Sequence, residues 1–219
     1  MADAADLKSA GAILVGSSPT LGIIKSRVKV NMLWVIVLLG YLLGSTPTAY
    51  IAGRLLKGKD IRQIGDGNMG ARNAFRELGA KVGVVVFFVD VSKGVLAVLI
   101  AQAANIPQVA ILFTGAAAVV GHNWPVFIGF RGGRGESTTI GVLLALITQP
   151  MLIIAGPAVL TLFIKRNVTI ASCVLFIPLP LMCWWLGVSG SLISYSMALP
   201  CLVGFTHFLK TRRTAIRQA

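Results

Sequence analysis

Apolar residues run along this chain in stretches long enough to cross a membrane, separated by short polar islands. About 20 such residues span a hydrocarbon core of ~30 Å. Stretches of that order lie at 31–56, 80–105, 168–187 and 189–206, with a further one at 108–122 whose apolar character continues to 130. The stretch 138–164 carries Pro150 near its middle, so it reads as one kinked span or as two short ones meeting at that proline.

Charge decides between these counts. If 138–164 is two spans, parity places the loops 57–79, 123–137 and 165–167 and the C-terminal tail on one side. With Arg54 and Lys81 at span ends, these regions hold 15 of the 20 basic residues, and the opposite loops near Ile106, Pro150 and Val188 hold none. The positive-inside rule therefore predicts seven spans, with the N-terminus outside and the C-terminus in the cytoplasm. The expected fold is all-α: a polytopic membrane protein built as a compact bundle of seven transmembrane helices, several of them short or kinked. Lys8, Lys25, Arg27 and Lys29 run against the charge pattern. Met32 immediately precedes the first apolar run, so residues 1–31 are expected to be a disordered or dispensable extension, or to lie upstream of the true start. Residues 32–219 form the expected functional domain.

Composition agrees with this picture. Hydrophobic residues make up 56% of the chain and charged ones 12%, against roughly 25% charged in soluble domains. A net charge of +13 in a soluble protein would point to nucleic acid. Here it follows from basic residues flanking spans and meeting anionic headgroups, so lipid is the expected partner and nucleic acid is not. Cys173, Cys183 and Cys201 are unpatterned and set in apolar stretches, which indicates neither a disulfide frame nor a metal site.

Five polar islands carry the candidate chemistry. The first, Gly44 to Tyr50 followed by Arg54, puts Gly-Ser-Thr-Pro inside an apolar span. That loosens the helix and frees backbone amides, which lipid tolerates only beside protein or a watery cavity. Ser45 can then meet a ligand; a plain proline kink with Arg54 snorkelling to headgroups is the competing reading. The second, Ile64 to Asn73, has Gly65, Gly67 and Gly70 with Asn68, Arg72 and Asn73. It suits a backbone nest around an anion, although a flexible loop has similar composition. The third is Asp90 and Lys93, three apart on one face of the second span, either paired structurally or facing a shared cavity.

The fourth island is the strongest. Gly121-His122-Asn123-Trp124-Pro125 leads to Arg131-Gly132-Gly133-Arg134-Gly135-Glu136-Ser137-Thr138 at the start of the next span. Fixed positive charge, close backbone approach and a helix N-terminus together are how a dianionic phosphate is held. The Walker order Gly-x4-Gly-Lys-Ser/Thr is absent. The last island is His207, close to the membrane edge, beside Lys210, Arg212, Arg213 and Arg217, most of which read as an ordinary basic anchor.

In this order the islands resemble the bacterial acyl-phosphate:glycerol-3-phosphate acyltransferase family of integral membrane enzymes, from about Met32 to the C-terminus. The stretches 44–50, 65–73 and 121–135 carry the resemblance. It implies a seven-helix membrane fold and transfer of a fatty acyl group from acyl phosphate to the 1-hydroxyl of glycerol 3-phosphate. The products would be lysophosphatidic acid and phosphate, in phospholipid biosynthesis at the cell inner membrane, with the active site facing the cytoplasm. No cofactor or metal is implied; an acyl-phosphate synthase is an expected partner. Ser45, Asn123 and His207 are the implied catalytic residues. Arg54, Gly67, Asn68, Gly70, Asn73, Lys93, His122, Arg131, Gly132, Gly133, Arg134, Gly135 and Thr138 are the implied substrate-binding ones, and Ser137 joins them by its place at the helix start. The His-x4-Asp dyad of acyl-CoA acyltransferases is missing, so the base is either His207 or a donor phosphate oxygen.

The chain also departs from the family's pattern. Arg131 and Arg134 stand where lysines are usual, Glu136 and Ser137 follow in place of Val-Ala, Arg72 replaces Thr, Asp66 replaces Ser, and Lys210 takes the place of Asn. Arg and Lys are not equivalent at a bidentate phosphate site. A membrane anion transporter with broken spans and an inactive lipid-binding relative are the alternatives, although no repeat relates the two halves.

Overall fold

The computed structural model describes the backbone of residues 19–218 and the side chains of residues 30–211. The described residues are helical, with turns and loops and no strand. In chain order the α-helices are α1 (Pro19–Gly44), α2 (Thr48–Lys57), α3 (Ala71–Glu77), α4 (Ala80–Ala103), α5 (Gln108–Asn123), α6 (Glu136–Leu146), α7 (Thr148–Lys165), α8 (Val168–Phe176), α9 (Leu179–Trp185) and α10 (Gly190–Gln218). Short 3-10 turns lie at Ile61–Gln63 and Val126–Ile128. The chain divides into two units, Met1–Val35 and Ile36–Ala219. Of the expected extension 1–31, residues 1–18 lie outside the described residues and the backbone is helical from Pro19.

Among the described residues six stretches are long and apolar enough to cross a membrane: Val30–Lys57, Ala80–Ala103, Gln108–Ile128, Thr148–Lys165, Val168–Trp185 and Gly190–Thr211. The short apolar helix α6 is the seventh element of the expected set. The stretch 138–164 is two helices, but the break falls at Ile147 rather than Pro150. Pro150 sits in the first turn of α7, where its missing N–H has no intrahelical partner to lose. Proline acts differently in the span 168–187, where α8 gives way to α9 at Ile177 and Pro178.

The second unit has its polarity inverted relative to a water-soluble domain. Phe88, Phe163 and Trp185 are 61%, 76% and 73% exposed, while Asp90, Lys93 and Asn123 are 1%, 5% and 0% exposed. Such an arrangement is stable when the surroundings are lipid and costly charges turn inward. Multi-pass membrane insertion follows.

Small residues bring the inner helices together. A side chain at Gly94 would overlap the Thr138 carbonyl and one at Gly141 the Val91 carbonyl, so α4 and α6 meet backbone to backbone. Val98, Val119, Val142, Leu143 and Leu179 fill the centre of the bundle. A second cluster of Ala49, Ile61, Met69, Ala74, Leu78 and Val86 packs the 60–78 segment against α2 and α4. These two cores bracket the polar islands.

Candidate active site

The first span breaks at Ser45-Thr46-Pro47, between α1 and α2. Pro47 has no N–H to continue the ladder, and the break leaves the Thr46 carbonyl to accept from Lys93 Nζ at 3.2 Å. Thr48 Oγ1 donates to Asp90 Oδ1 at 3.0 Å, and Lys93 Nζ lies 2.9 Å from the same oxygen. His122 brings Nδ1 to 3.8 Å from it. The broken span, α4 and α5 thus meet around one buried carboxylate. Beside it lies a narrow cleft of about 10 Å³, lined by Ser45, Thr46, Thr48, Asp90, His122 and Gly133 among others. Gly121 admits Ser45 closely, since a Cβ there would overlap Tyr41 O and crowd Ser45. Ser45 Oγ donates to Tyr41 O at 2.8 Å, which leaves its lone pairs for an incoming donor.

The strongest island folds back across the end of α5. Gly133 N–H donates to His122 O at 3.0 Å and Gly132 N–H to Asn123 O at 3.2 Å. Gly133 lies directly against His122 Nε2, so a side chain there would collide with the imidazole. Gly135, at φ +85°, caps the start of α6, a conformation that favours glycine. Asn123, Thr138 and Thr139 are fully buried beside this turn, and both amide atoms of Asn123 and both threonine hydroxyls lack a partner. Arg134 Nε is also buried without one, while its Nη2 lies 3.6 Å from Asp66 Oδ2. Unspent hydrogen-bonding capacity of this kind is costly in an apolar interior, and an anion or a polar substrate would use it.

Other predicted residues serve the loop or lie at the edge. Asn73 donates to the carbonyls of Ile61, Ile64 and Asn68 at 3.3, 3.1 and 3.0 Å and accepts from Asp66 N–H at 3.2 Å. Its amide is therefore spent on folding the 61–73 loop, whose Gly65 and Gly67 have φ of +61° and +66°. Asn68 Oδ1 is buried and unpartnered, with Gly70 adjacent to its amide. Arg54 is half exposed, 3.3 Å from Tyr50 Oη and 3.8 Å from Asp60. Arg131 is exposed and Ser137 half-buried. His207 is half-buried, close enough to Arg134, Arg72 and Asp66 for their charges to act on it.

Just outside the spans, Asp60 accepts from Arg62 N, Nε and Nη2, the last at 2.7 Å. These hydrogen bonds hold the Asp60 carboxyl below its usual range, against the upward push of burial. Arg62 also donates to Ile128 O at 3.0 Å, tying this corner to the 126–128 turn.

The sequence profile of the glycerol-3-phosphate acyltransferase family matches residues 34–216. The chain belongs to this family. A Dehalococcoides mccartyi member, glycerol-3-phosphate acyltransferase 4, is 50% identical over 180 residues, covering 82% of this chain and 97% of its own. A Pelodictyon phaeoclathratiforme glycerol-3-phosphate acyltransferase is 37% identical over 214 residues, 84% of this chain and 91% of its own. Among solved structures, the glycerol 3-phosphate form of PlsY, an integral membrane glycerol 3-phosphate acyltransferase, superposes with a TM-score of 0.75. It is 34% identical and covers 84% of this chain and 92% of its own. The protein is thus a membrane acyltransferase of phospholipid biosynthesis.

Within this acyltransferase, the departures from the family pattern meet one another. Asp66 faces Arg134, the charges of Arg72 and Arg134 act on the half-buried Glu136, and Ser172 Oγ donates to Glu136 Oε1. Sequence reasoning missed Ser172, which nothing in its apolar stretch singles out. Lys210, which the sequence marks only as one of a basic tail and as standing in the place of an asparagine, donates from Nζ to the carbonyls of Asn123, Gly132 and Gly133. A spacing of three from His207, on the same helical face, was the available signal.

Proposed function

We propose that this acyltransferase moves a fatty acyl group from acyl phosphate to the 1-hydroxyl of glycerol 3-phosphate. The observation that carries the reading is the convergence of the broken first span, the Asp90–Lys93 pair, His122 and the glycine turn on one cleft. Both substrates bear phosphate, so cations and glycine-freed amides beside an apolar bundle fit their two ends. The glycerol 3-phosphate acyltransferase named in the PlsY structure, at 34% identity, supports the acceptor.

Attack of the hydroxyl oxygen on the acyl carbonyl forms the ester C–O bond and breaks the bond from that carbon to the phosphate oxygen. Phosphate leaves with the electron pair, and lysophosphatidic acid is the other product. The hydroxyl proton passes to the departing phosphate or to His207. In this reading Lys93, Arg134, Arg54 and Arg131 neutralise phosphate charge, and His122, Gly67, Asn68, Gly70, Gly132, Gly133, Gly135, Ser137 and Thr138 line the anion sites. Asn73 contributes by holding the loop. Ser45 and Asn123 hydrogen-bond substrate oxygens. Because the mixed anhydride has a good leaving group, positioning and charge neutralisation supply much of the rate.

The positive-inside pattern supports an inner-membrane protein with its N-terminus outside and its site facing the cytoplasm. An acyl-phosphate synthase is the class of enzyme that must supply the donor. Residues 1–31, which precede the family match at 34, are dispensable for turnover.

The test mixes purified protein with palmitoyl phosphate and glycerol 3-phosphate. Phosphate release coupled one-to-one to lysophosphatidate is expected. Release that does not depend on glycerol 3-phosphate would sink the proposal, as would phosphate uptake into vesicles without acyl transfer.

A further inference from the structure

Two side chains of α10, Thr206 and Lys210, hold a row of backbone carbonyls. Lys210 Nζ donates to Asn123 O at 3.1 Å, to Gly132 O at 2.9 Å and to Gly133 O. One turn earlier, Thr206 Oγ1 donates to Arg134 O at 3.1 Å. An ammonium has three N–H donors, and three carbonyls take them. The ammonium also stands 6.0 Å from the Trp124 ring centroid, within cation–π range.

Peptide geometry turns this into an orientation. Across a trans peptide the carbonyl of one residue and the N–H of the next point to opposite sides. With the Gly132, Gly133 and Arg134 carbonyls drawn to α10, the N–H groups of Gly133, Arg134 and Gly135 are turned away from it. Gly133 N–H is accordingly found on His122 O. Gly135 opens α6 with its α-carbon against the unpartnered side-chain amide of Asn123, which sets this end of the turn beside that unspent capacity.

We propose that Lys210 is a positioning residue that holds the glycine turn 131–135 with the Arg134 and Gly135 amides presented to a substrate phosphate, without touching that phosphate itself. The inference rests on the phosphate reading of the site given above. Without the ammonium, the electron-rich carbonyls of the turn are no longer drawn to α10, and any that rotate toward the anion repel it.

The experiment uses the full chain with Lys210→Met, which keeps an apolar stem and removes the three donors, and Lys210→Gln, which keeps two. Michaelis constants for palmitoyl phosphate and for glycerol 3-phosphate are measured separately, because either molecule can supply the phosphate at the turn. Binding is read independently as the rise in unfolding temperature caused by inorganic phosphate. Lys210→Met is expected to raise one of the two KM values about ten-fold, with a smaller loss in kcat. It should also abolish the phosphate-induced shift, and Lys210→Gln should recover part of both. If Lys210→Met does not fold, Lys210→Gln must show the same losses in reduced form. Unchanged KM values with an intact phosphate shift overturn the proposal. A fall in kcat alone does so too, because it places Lys210 at the reacting atoms, and so does a wild type that phosphate fails to stabilise. A wild type that binds phosphate but transfers no acyl group sinks the functional reading instead and leaves the shift comparison to decide on Lys210.

Discussion

Asp90 and Asp60 are both nearly inaccessible carboxylates with basic partners, yet their surroundings differ in kind. Asp60 receives three donors from Arg62, two residues along, and both of its oxygens are engaged. Asp90 gathers Thr48 from α2, Lys93 from α4 and His122 from α5 onto Oδ1, while Oδ2 has no partner. The first is a local fastener whose capacity is spent. The second joins three helices and keeps capacity in reserve, in a setting where an unpaired charged oxygen is expensive. On the proposed reading, unsatisfied polarity in this bundle marks where a ligand belongs, and satisfied polarity marks structure.

The sharpest break of that contrast is at Lys93. Lys93→Met should cut turnover about 10³-fold, the scale of losing a preorganised charge at a reacting centre. It also leaves Asp90 buried and uncompensated, which costs about 3–5 kcal/mol when one partner of a buried pair is removed. The double variant Asp90→Asn with Lys93→Met removes that uncompensated charge. Unfolding temperature should recover toward wild type while turnover stays low. If turnover recovers with stability, the pair is structural and Asp90 resembles Asp60 after all.

The two arginines of the glycine turn extend the comparison. Arg134 has a buried, unpartnered Nε and Arg131 is exposed. Arg134→Ala is expected to lose about 10²-fold in kcat/KM, and Arg131→Ala only a few-fold, as charge-assisted contacts differ between buried and solvated settings. Equal losses would mean that long-range charge, not contact, is what the site requires. Gly133→Ala comes next in size. Its Cβ would displace the His122 imidazole, and about a ten-fold fall in kcat/KM is expected from that misplacement, read in the same steady-state assay.

How much of this was legible beforehand depends on the range of the interaction. Span length and loop charge are properties of contiguous sequence, and they show the apolar spans and the division of 138–164, but not that its break is at Ile147, that the span 168–187 breaks at Ile177 and Pro178, or that the 57–79 loop holds a short helix. A proline disrupts helix interiors, which makes Pro150 the expected break, yet it sits in a first turn where it disrupts nothing. The polar islands were visible because Gly, Arg and Asn are rare between apolar runs. The work each residue does was less visible. The family resemblance implies that Asn73 binds substrate, whereas its amide is consumed by three carbonyls of its own loop. Lys210 sits in a basic tail like any anchor, and only the folding of the turn onto α10, across 78 positions from Gly132, reveals its carbonyl partners.

The smallest expected effect concerns Asp60, and it tests the fastener side of the comparison. Its carboxyl titrates below the usual range in the fold because Arg62 hydrogen-bonds the charged form, whereas an unfolded aspartate titrates near ~3.9. A group with a depressed folded pKa contributes stability that is fully present above the unfolded value and is lost as pH falls through the folded value. Asp60→Asn should therefore lower the unfolding temperature in detergent by about 3 °C at neutral pH. The gap to wild type should hold down to roughly pH 5 and then close as the medium is acidified further. Turnover at neutral pH should stay within about two-fold, because Arg54, 3.8 Å from Asp60 and half exposed, keeps its own charge. A gap that persists unchanged at pH 3 would show that the Asp60–Arg62 contact stabilises through shape rather than charge, and a large loss of turnover would make this corner part of the active site rather than its frame.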